Sequence, residues 1–193
     1  MKKVLPRLPL LLCFVVAFAF GIKGLREPDL WWQIKTGQWI LENHRVPTQD
    51  VFSYTYTGHE WINIKWGFEV LAALLSNSLG PESIFLLQAL VGCLIVYLLL
   101  KAAKAGSLNG AVLAQNPAVL VMLLLTLLVA EYRFIGRPEM FSHALAIAFL
   151  GILLNNRKEE TKQLWWLVPL QLLWTNLHEA FGMGLVLTAI FAV

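Results

Sequence analysis

Residues 81–104 read PESIFLLQALVGCLIVYLLLKAAK. No charged side chain falls between Glu82 and Lys101, so Pro81 to Leu100 supplies the ~20 mostly apolar residues a helix needs to cross ~30 Å of hydrocarbon. Backbone groups left unpaired in lipid are costly, so such a run closes its hydrogen bonds internally as a helix. Gly80 stops what precedes it, Pro81 and Glu82 suit a first turn, and Lys101 and Lys104 mark the far end.

The rest of the chain follows the same pattern. Hydrophobic residues make up 58% and charged residues 14% of the 193 positions, and the mean hydropathy is +0.65. That is more apolar surface than a soluble core of this length can hide. The expected fold is all-α: a single-domain (1–193) polytopic transmembrane helical bundle with amphipathic surface helices in its first extracytoplasmic loop. Spans are expected at about 5–22, 81–100, 117–135, 138–154, 164–177 and 180–193, with an outer loop at 23–80. Asn116-Pro117 reads as an N-cap and first-turn proline; Pro169 predicts a kink in the fifth span. The apolar end at Thr188 to Val193 is that expected of the N-terminal part of a longer protein.

Charge sets the orientation. Met-Lys-Lys and Arg7 precede the first run, which keeps the N-terminus cytoplasmic by the positive-inside rule. Ala17-Phe18-Ala19 also has the small-x-small form of a signal-peptide cleavage site, and either reading exports the next loop. With these spans the cytoplasmic segments carry a net +6 and the outer segments a net −3. The expected location is a membrane crossed several times, with the N-terminus on the cytoplasmic side. A pI near 9 does not imply nucleic acid, because the basic residues are scattered at the ends of apolar runs. Cys13 and Cys93 lie in apolar runs with no partner at metal-ligand spacing and read as inert thiols.

The 23–80 loop is no ordinary solvated loop, since Trp31, Trp32, Trp39 and Trp61 crowd into it. Leu30, Ile34, Gly37 and Leu41 make one apolar stripe, so residues 30–43 are expected to form a helix lying in the membrane surface, with Trp66 to Leu79 as a second amphipathic helix. Phe52 to Tyr56 is expected as a short extended piece between turns.

Polar and ionisable residues gather on the outer side: Glu27 to Asp29, Asp50 with Glu60 to Lys65, Glu131 to His143, and Asn176 to Glu179. Charges near membrane depth usually face one another or a wet cavity. Glu139 and His143, like Arg133 and Arg137, are four apart, and together they are expected to line a cleft. Asp29 is either a helix N-cap or a chemical group, and the two are compatible. Arg133 and Arg137 either snorkel to headgroups or hold a phosphate. His143 reads as an interhelical hydrogen-bonding residue or a catalyst, and His178-Glu179 stays open between structural and chemical roles.

Glu27-Pro28-Asp29-Leu30-Trp31-Trp32 with Gly37 and Trp39-Ile40, then Val46-Pro47, Asp50-Val51-Phe52-Ser53-Tyr54-Thr55, Trp61, Trp66 and Phe68-Glu69, Arg137-Pro138, Phe141-Ser142 and Trp174-Thr175-Asn176-Leu177-His178 together resemble the front half of bacterial membrane proteins similar to the GT-C glycosyltransferases. Protein mannosyltransferases, lipid A aminoarabinose transferases and oligosaccharyltransferases are relatives of that group. The resemblance implies an acidic active-site residue in the first outer loop, matched here by Asp29, and a sugar carried on a polyprenyl phosphate in membrane lipid. The outer-face residues Asp50, Arg133, Arg137, Glu139, His143, Asn176 and His178 are expected to bind substrate, and the resemblance leaves room for a divalent metal on outer carboxylates. Full members continue through further spans. The competing expectation is a non-enzymatic membrane protein that binds or scaffolds lipid-linked saccharides. No Gly-rich phosphate loop supports a cytoplasmic nucleotide site.

Overall fold

The computed structural model describes residues 8–22, 27–106, 116–157 and 162–192. Among these residues the chain is all-α, with eight α-helices: α1 (Leu8–Gly21), α2 (Asp29–Asn43), α3 (Trp66–Leu79), α4 (Ser83–Gly106), α5 (Pro117–Ala130), α6 (Glu139–Asn156), α7 (Leu167–Leu177) and α8 (Gly182–Ala192). Three short 3-10 turns, Glu131–Arg133, Lys162–Trp166 and Glu179–Phe181, lead out of α5 and into α7 and α8. Two helices, α4 with 24 residues and α6 with 18, are long and apolar enough to cross a membrane. At 1.5 Å per residue α4 is about 36 Å long.

Local chemistry explains several boundaries. Asn116 Oδ1 accepts the Ala118 N–H at 3.0 Å and Pro117 occupies the first turn of α5, as expected. Gly80, at φ +84°, ends α3, and its carbonyl accepts the Ser83 N–H. The 3-10 turn at Lys162–Trp166 moves the start of α7 to Leu167 and places Pro169 in its first turn, where a proline forfeits no intrahelical bond. Phe52 to Tyr56 forms turns rather than an extended piece. Asp50 Oδ1 accepts the N–H groups of Phe52 and Ser53, both at 2.8 Å, and this Asx turn satisfies the backbone locally, with only the isolated bridge Gln49 to Glu60 beside it.

Two apolar clusters hold the helices together. The larger joins α2, α3, α4, α6 and α7 through Leu30, Phe68, Ile84, Phe149 and Trp174, all at most 1% exposed. The smaller joins α1, α4 and α5 through Cys13, Ala17, Val96 and Leu127. Cys13 and Cys93 are both free thiols. Close crossings fix the geometry: a Cβ on Gly37 of α2 would lie 1.9 Å from the Glu69 carbonyl oxygen of α3, and one on Gly21 would lie 2.2 Å from Ala89 Cα of α4. Outward, by contrast, Leu12, Leu125, Val129, Leu172, Val186 and Ile190 remain exposed.

The helices alternate in direction, and this sorts the polar residues by end. The starts of α4 and α6 and the end of α7 meet α2 and α3 at one end. Leu10, Lys101, Lys104, Asn155 and Gln163 border a common cavity at the other. Lys2, Lys3, Arg7, Lys23, Arg26, Lys158, Glu159 and Glu160, which enter the charge asymmetry, lie outside the described residues.

Candidate functional site

The connection between α5 and α6 delivers Arg137. Gln88 Nε2 on α4 donates to the Phe134 carbonyl at 2.6 Å and holds this connection on the bundle. Gly136 fits where a Cβ would meet Ile84 and Leu30 at 3.1 and 3.3 Å, so the guanidinium emerges beside the start of α2. There Arg137 makes a fork with Glu27, Nη2 donating to Oε1 at 2.8 Å and Nε to Oε2. Glu27 is 4% exposed, and its Oε1 also accepts the Asp29 N–H at 3.3 Å. Hydrogen bonding to Glu27 raises the Arg137 pKa above its ordinary value, which makes it a fixed cation.

Asp29 lies next to this pair, its Oδ2 3.6 Å from Arg137 Nη2. It is the first helical residue of α2, with Pro28 at the N-cap position, so the carboxylate sits in the first turn, where the helix dipole favours a negative charge. Its side chain is 53% exposed. Of the acidic groups around Arg137 it is the one open to a ligand.

A second ion pair borders the first. Arg133 Nη1 donates to both Glu139 oxygens at 3.1 and 3.2 Å, and Glu139 Oε1 is 3.8 Å from His143 Nε2 one turn along α6. The Arg133 guanidinium lies 4.9 Å from the Tyr132 ring centroid.

Behind these groups runs a buried hydrogen-bonded chain. Trp174 Nε1 donates to Ser142 Oγ at 2.7 Å, and Ser142 Oγ lies 2.7 Å from His178 Nδ1. Nδ1 also accepts the Ala180 N–H at 3.4 Å. A backbone N–H only donates, so Nδ1 is an acceptor, the serine hydroxyl donates to it, and neutral His178 carries its proton on Nε2. Burial pushes the His178 pKa below its ordinary value, with Glu179 and Glu139 opposing. Asn176, two residues earlier, accepts Trp66 Nε1–H at 2.8 Å, tying α7 to the start of α3.

Asp50 stands apart from these pairs. Its carboxylate serves the turn at Phe52 and Ser53, and those hydrogen bonds hold its pKa below the usual carboxylate value. It borders a shallow cavity of about 390 Å³ with Trp32, Tyr56, His59 and Trp61. Lys65 Nζ lies 4.9 Å from the Trp32 ring centroid.

The structure therefore brings Asp29, Arg137, Arg133, Glu139, His143, Asn176 and His178 to one end of the bundle and gives Asp50 a turn-forming role at that end. It adds residues that sequence reasoning did not single out as site residues: Glu27, Ser142 and Trp174. Each belongs to a quoted motif or polar stretch, but its pairing depends on a partner far along the chain. Glu69 is a further case. It is 0% exposed, accepts from Asn63 Nδ2 at 2.5 Å through Oε2, and leaves Oε1 buried without a partner; burial pushes its pKa up to about 7.

The acidic groups do not fit a divalent cation. The guanidinium of Arg137 already takes both oxygens of Glu27 and lies beside Asp29, and no group of three His, Cys, Asp or Glu among the described residues is arranged to hold a metal. Compared with known proteins, the chain matches no family model, no curated protein and no solved structure.

Proposed function

We propose that this chain is a multi-pass protein of a bacterial inner membrane, resembling the GT-C glycosyltransferases, that transfers a sugar from a polyprenyl phosphate carrier to an acceptor hydroxyl on the extracytoplasmic side. One observation carries the reading: a half-exposed carboxylate, Asp29, held at a helix N-terminus 3.6 Å from a fixed guanidinium, at the bundle end where His143, Asn176 and His178 also gather. The exposed leucines and valines of α1, α5, α7 and α8 support a lipid surround. Lys101, Lys104, Arg157 and Lys162 at the opposite end support a cytoplasmic assignment for that end.

The chemistry balances as a single displacement. The acceptor oxygen attacks the anomeric carbon while Asp29 takes its proton, a step worth ~10²- to 10⁴-fold. The bond from the anomeric carbon to the phosphate oxygen breaks, and the polyprenyl phosphate leaves with the electron pair. Arg137 has used its Nε and Nη2 donors on Glu27, so a phosphate would meet its Nη1 edge, and charge-assisted hydrogen bonds there stabilise the leaving group.

A second reading, a non-enzymatic protein that binds or scaffolds lipid-linked saccharides, draws on the prior neutralisation of Arg137 by Glu27 and Arg133 by Glu139, a stable polar lining that needs no chemistry. Transfer of labelled sugar from polyprenyl phosphate carriers in liposomes, comparing wild type with Asp29→Asn, separates the two. The transferase reading expects turnover to fall at least 10²-fold in the variant with carrier binding retained. Full activity in the variant rejects the role of Asp29, and carrier binding without transfer by wild type supports the second reading.

A further inference from the structure

A cavity also lies away from the carboxylate-rich end. It is a groove of about 1080 Å³ between α4, α6 and α7 at the opposite end of the bundle, just above the ~300–1,000 Å³ typical of small-ligand sites. Leu98, Ile147, Ile152 and Leu170 form apolar walls. Gly151 of α6 faces Ala102 of α4 there, where an added Cβ would make an ordinary 3.5 Å contact with Ala102 Cβ. The rim is polar, and its charged residues among those described are lysines. Lys101 and Lys104, three apart on α4 and therefore on one face, are both exposed, and Asn155 Nδ2 donates to Gln163 Oε1 at 3.2 Å across the margin. Trp166 stands exposed beside them, as an indole does at the level of lipid headgroups. Among the described residues, no aspartate or glutamate lines the groove.

We infer that this groove is a binding site for an anionic diacyl phospholipid, its acyl chains along the α4, α6 and α7 walls and its phosphate at Lys101 and Lys104. The apolar length of the groove selects an acyl chain over a soluble anion, because filling it with water or a hydrated ion leaves the walls unburied. The rim selects the headgroup. A phosphate with no compensating cation gains from both ammonium groups, whereas the choline of a zwitterionic lipid would face two like charges. This site is distinct from the Asp29 end and independent of the transferase reading. It requires only that the bundle sit in lipid.

Titration of the detergent-purified full chain with phosphatidylglycerol or phosphatidylcholine, read by native mass spectrometry, tests this. Wild type is expected to bind phosphatidylglycerol roughly tenfold more tightly than phosphatidylcholine, each rim lysine contributing severalfold. Lys101→Gln with Lys104→Gln should bring the two lipids to parity, and both positions are exposed, so folding is not at stake. Ala148→Leu, which places extra bulk in the groove while leaving the lysines, should weaken both lipids. Asp29→Asn should change neither. Parity in wild type, a preference that survives loss of both lysines, or unchanged binding in Ala148→Leu would each overturn the assignment. Equal competition by glycerol phosphate would also overturn it, since it would reduce the site to a headgroup contact.

Discussion

Replacing Glu69 with glutamine tests how the two amphipathic helices are held together. Glu69 lies on α3 where Gly37 of α2 makes its closest crossing, with no exposed surface, one oxygen bonded to Asn63 and the other unpartnered. Desolvation raises its pKa from 4.5 to about 7, outweighing the opposing effects of Asn63 and Lys65. The native state therefore holds a proton that the unfolded chain releases near 4.5. The folded value is the higher one, so this contribution is fully present below pH 4.5 and is lost as pH rises through about 7. Moving the carboxyl from 4.5 to about 7 corresponds to about 3 kcal/mol. Glutamine has nearly the same shape, keeps an acceptor for Asn63 and does not ionise. The stability of Glu69→Gln relative to wild type should therefore be near zero at pH 4.5 and grow to about 3 kcal/mol at pH 8.5. Reversible unfolding in mixed micelles, followed by tryptophan fluorescence across that range, measures the difference directly, and other titrating groups cancel in it. Parallel curves for the two proteins would refute the reasoning and show that Glu69 is ionised in the native state.

Two further substitutions probe the site. Arg137→Ala strands the buried Glu27 carboxylate and should destabilise by on the order of 2 kcal/mol, a value reduced from the 3–5 of a fully buried pair because Arg137 is 42% exposed; adding Glu27→Gln should recover part of the loss in the same unfolding assay. Ser142→Ala removes the acceptor of Trp174 Nε1–H and the donor to His178 Nδ1, costing about 1–3 kcal/mol. Loss of the donor that favours neutral imidazole should raise the His178 pKa, readable by 15N NMR of its ring. His178 has a depressed folded pKa, so its contribution is present above pH 6.5 and lost as pH falls through the folded value, and Ser142→Ala should weaken that acid sensitivity.

Features set by local chemistry were legible in the sequence. Asn116-Pro117 opens α5, Gly80 closes α3, and of the apolar stripe through Leu30, Ile34, Gly37 and Leu41 the first three are buried and Leu41 is half-buried. Where the local reading failed, a nearby competitor intervened: the 3-10 turn at Lys162–Trp166 moved Pro169 into a first turn, and the Asp50 carboxylate captured the backbone that an extended Phe52 to Tyr56 would have offered to a neighbour. The clustering of polar groups at one bundle end followed from the alternation of apolar runs. The pairings within it did not, because Glu27 and Arg137 stand 110 positions apart, and which carboxylate meets which cation depends on how α2 crosses the bundle.

That crossing also explains why Asp29, rather than Glu27, is the group left open. The α2–α3 pair is locked by Gly37 against Glu69, and α3 is tied to α7 by Trp66 and Asn176, so the start of α2 arrives beside the α5–α6 connection with little freedom. Glu27, just before the helix, turns inward and meets Arg137 in a two-point fork, and a buried carboxylate needs such a partner. Asp29, two residues on, lies on the helix and is carried outward, close enough to Arg137 to share its field and too far for a short hydrogen bond. One arginine thus neutralises the buried acid and still biases the exposed one. Removing Glu27 would release Arg137 toward Asp29 and occlude the carboxylate that the proposed chemistry requires.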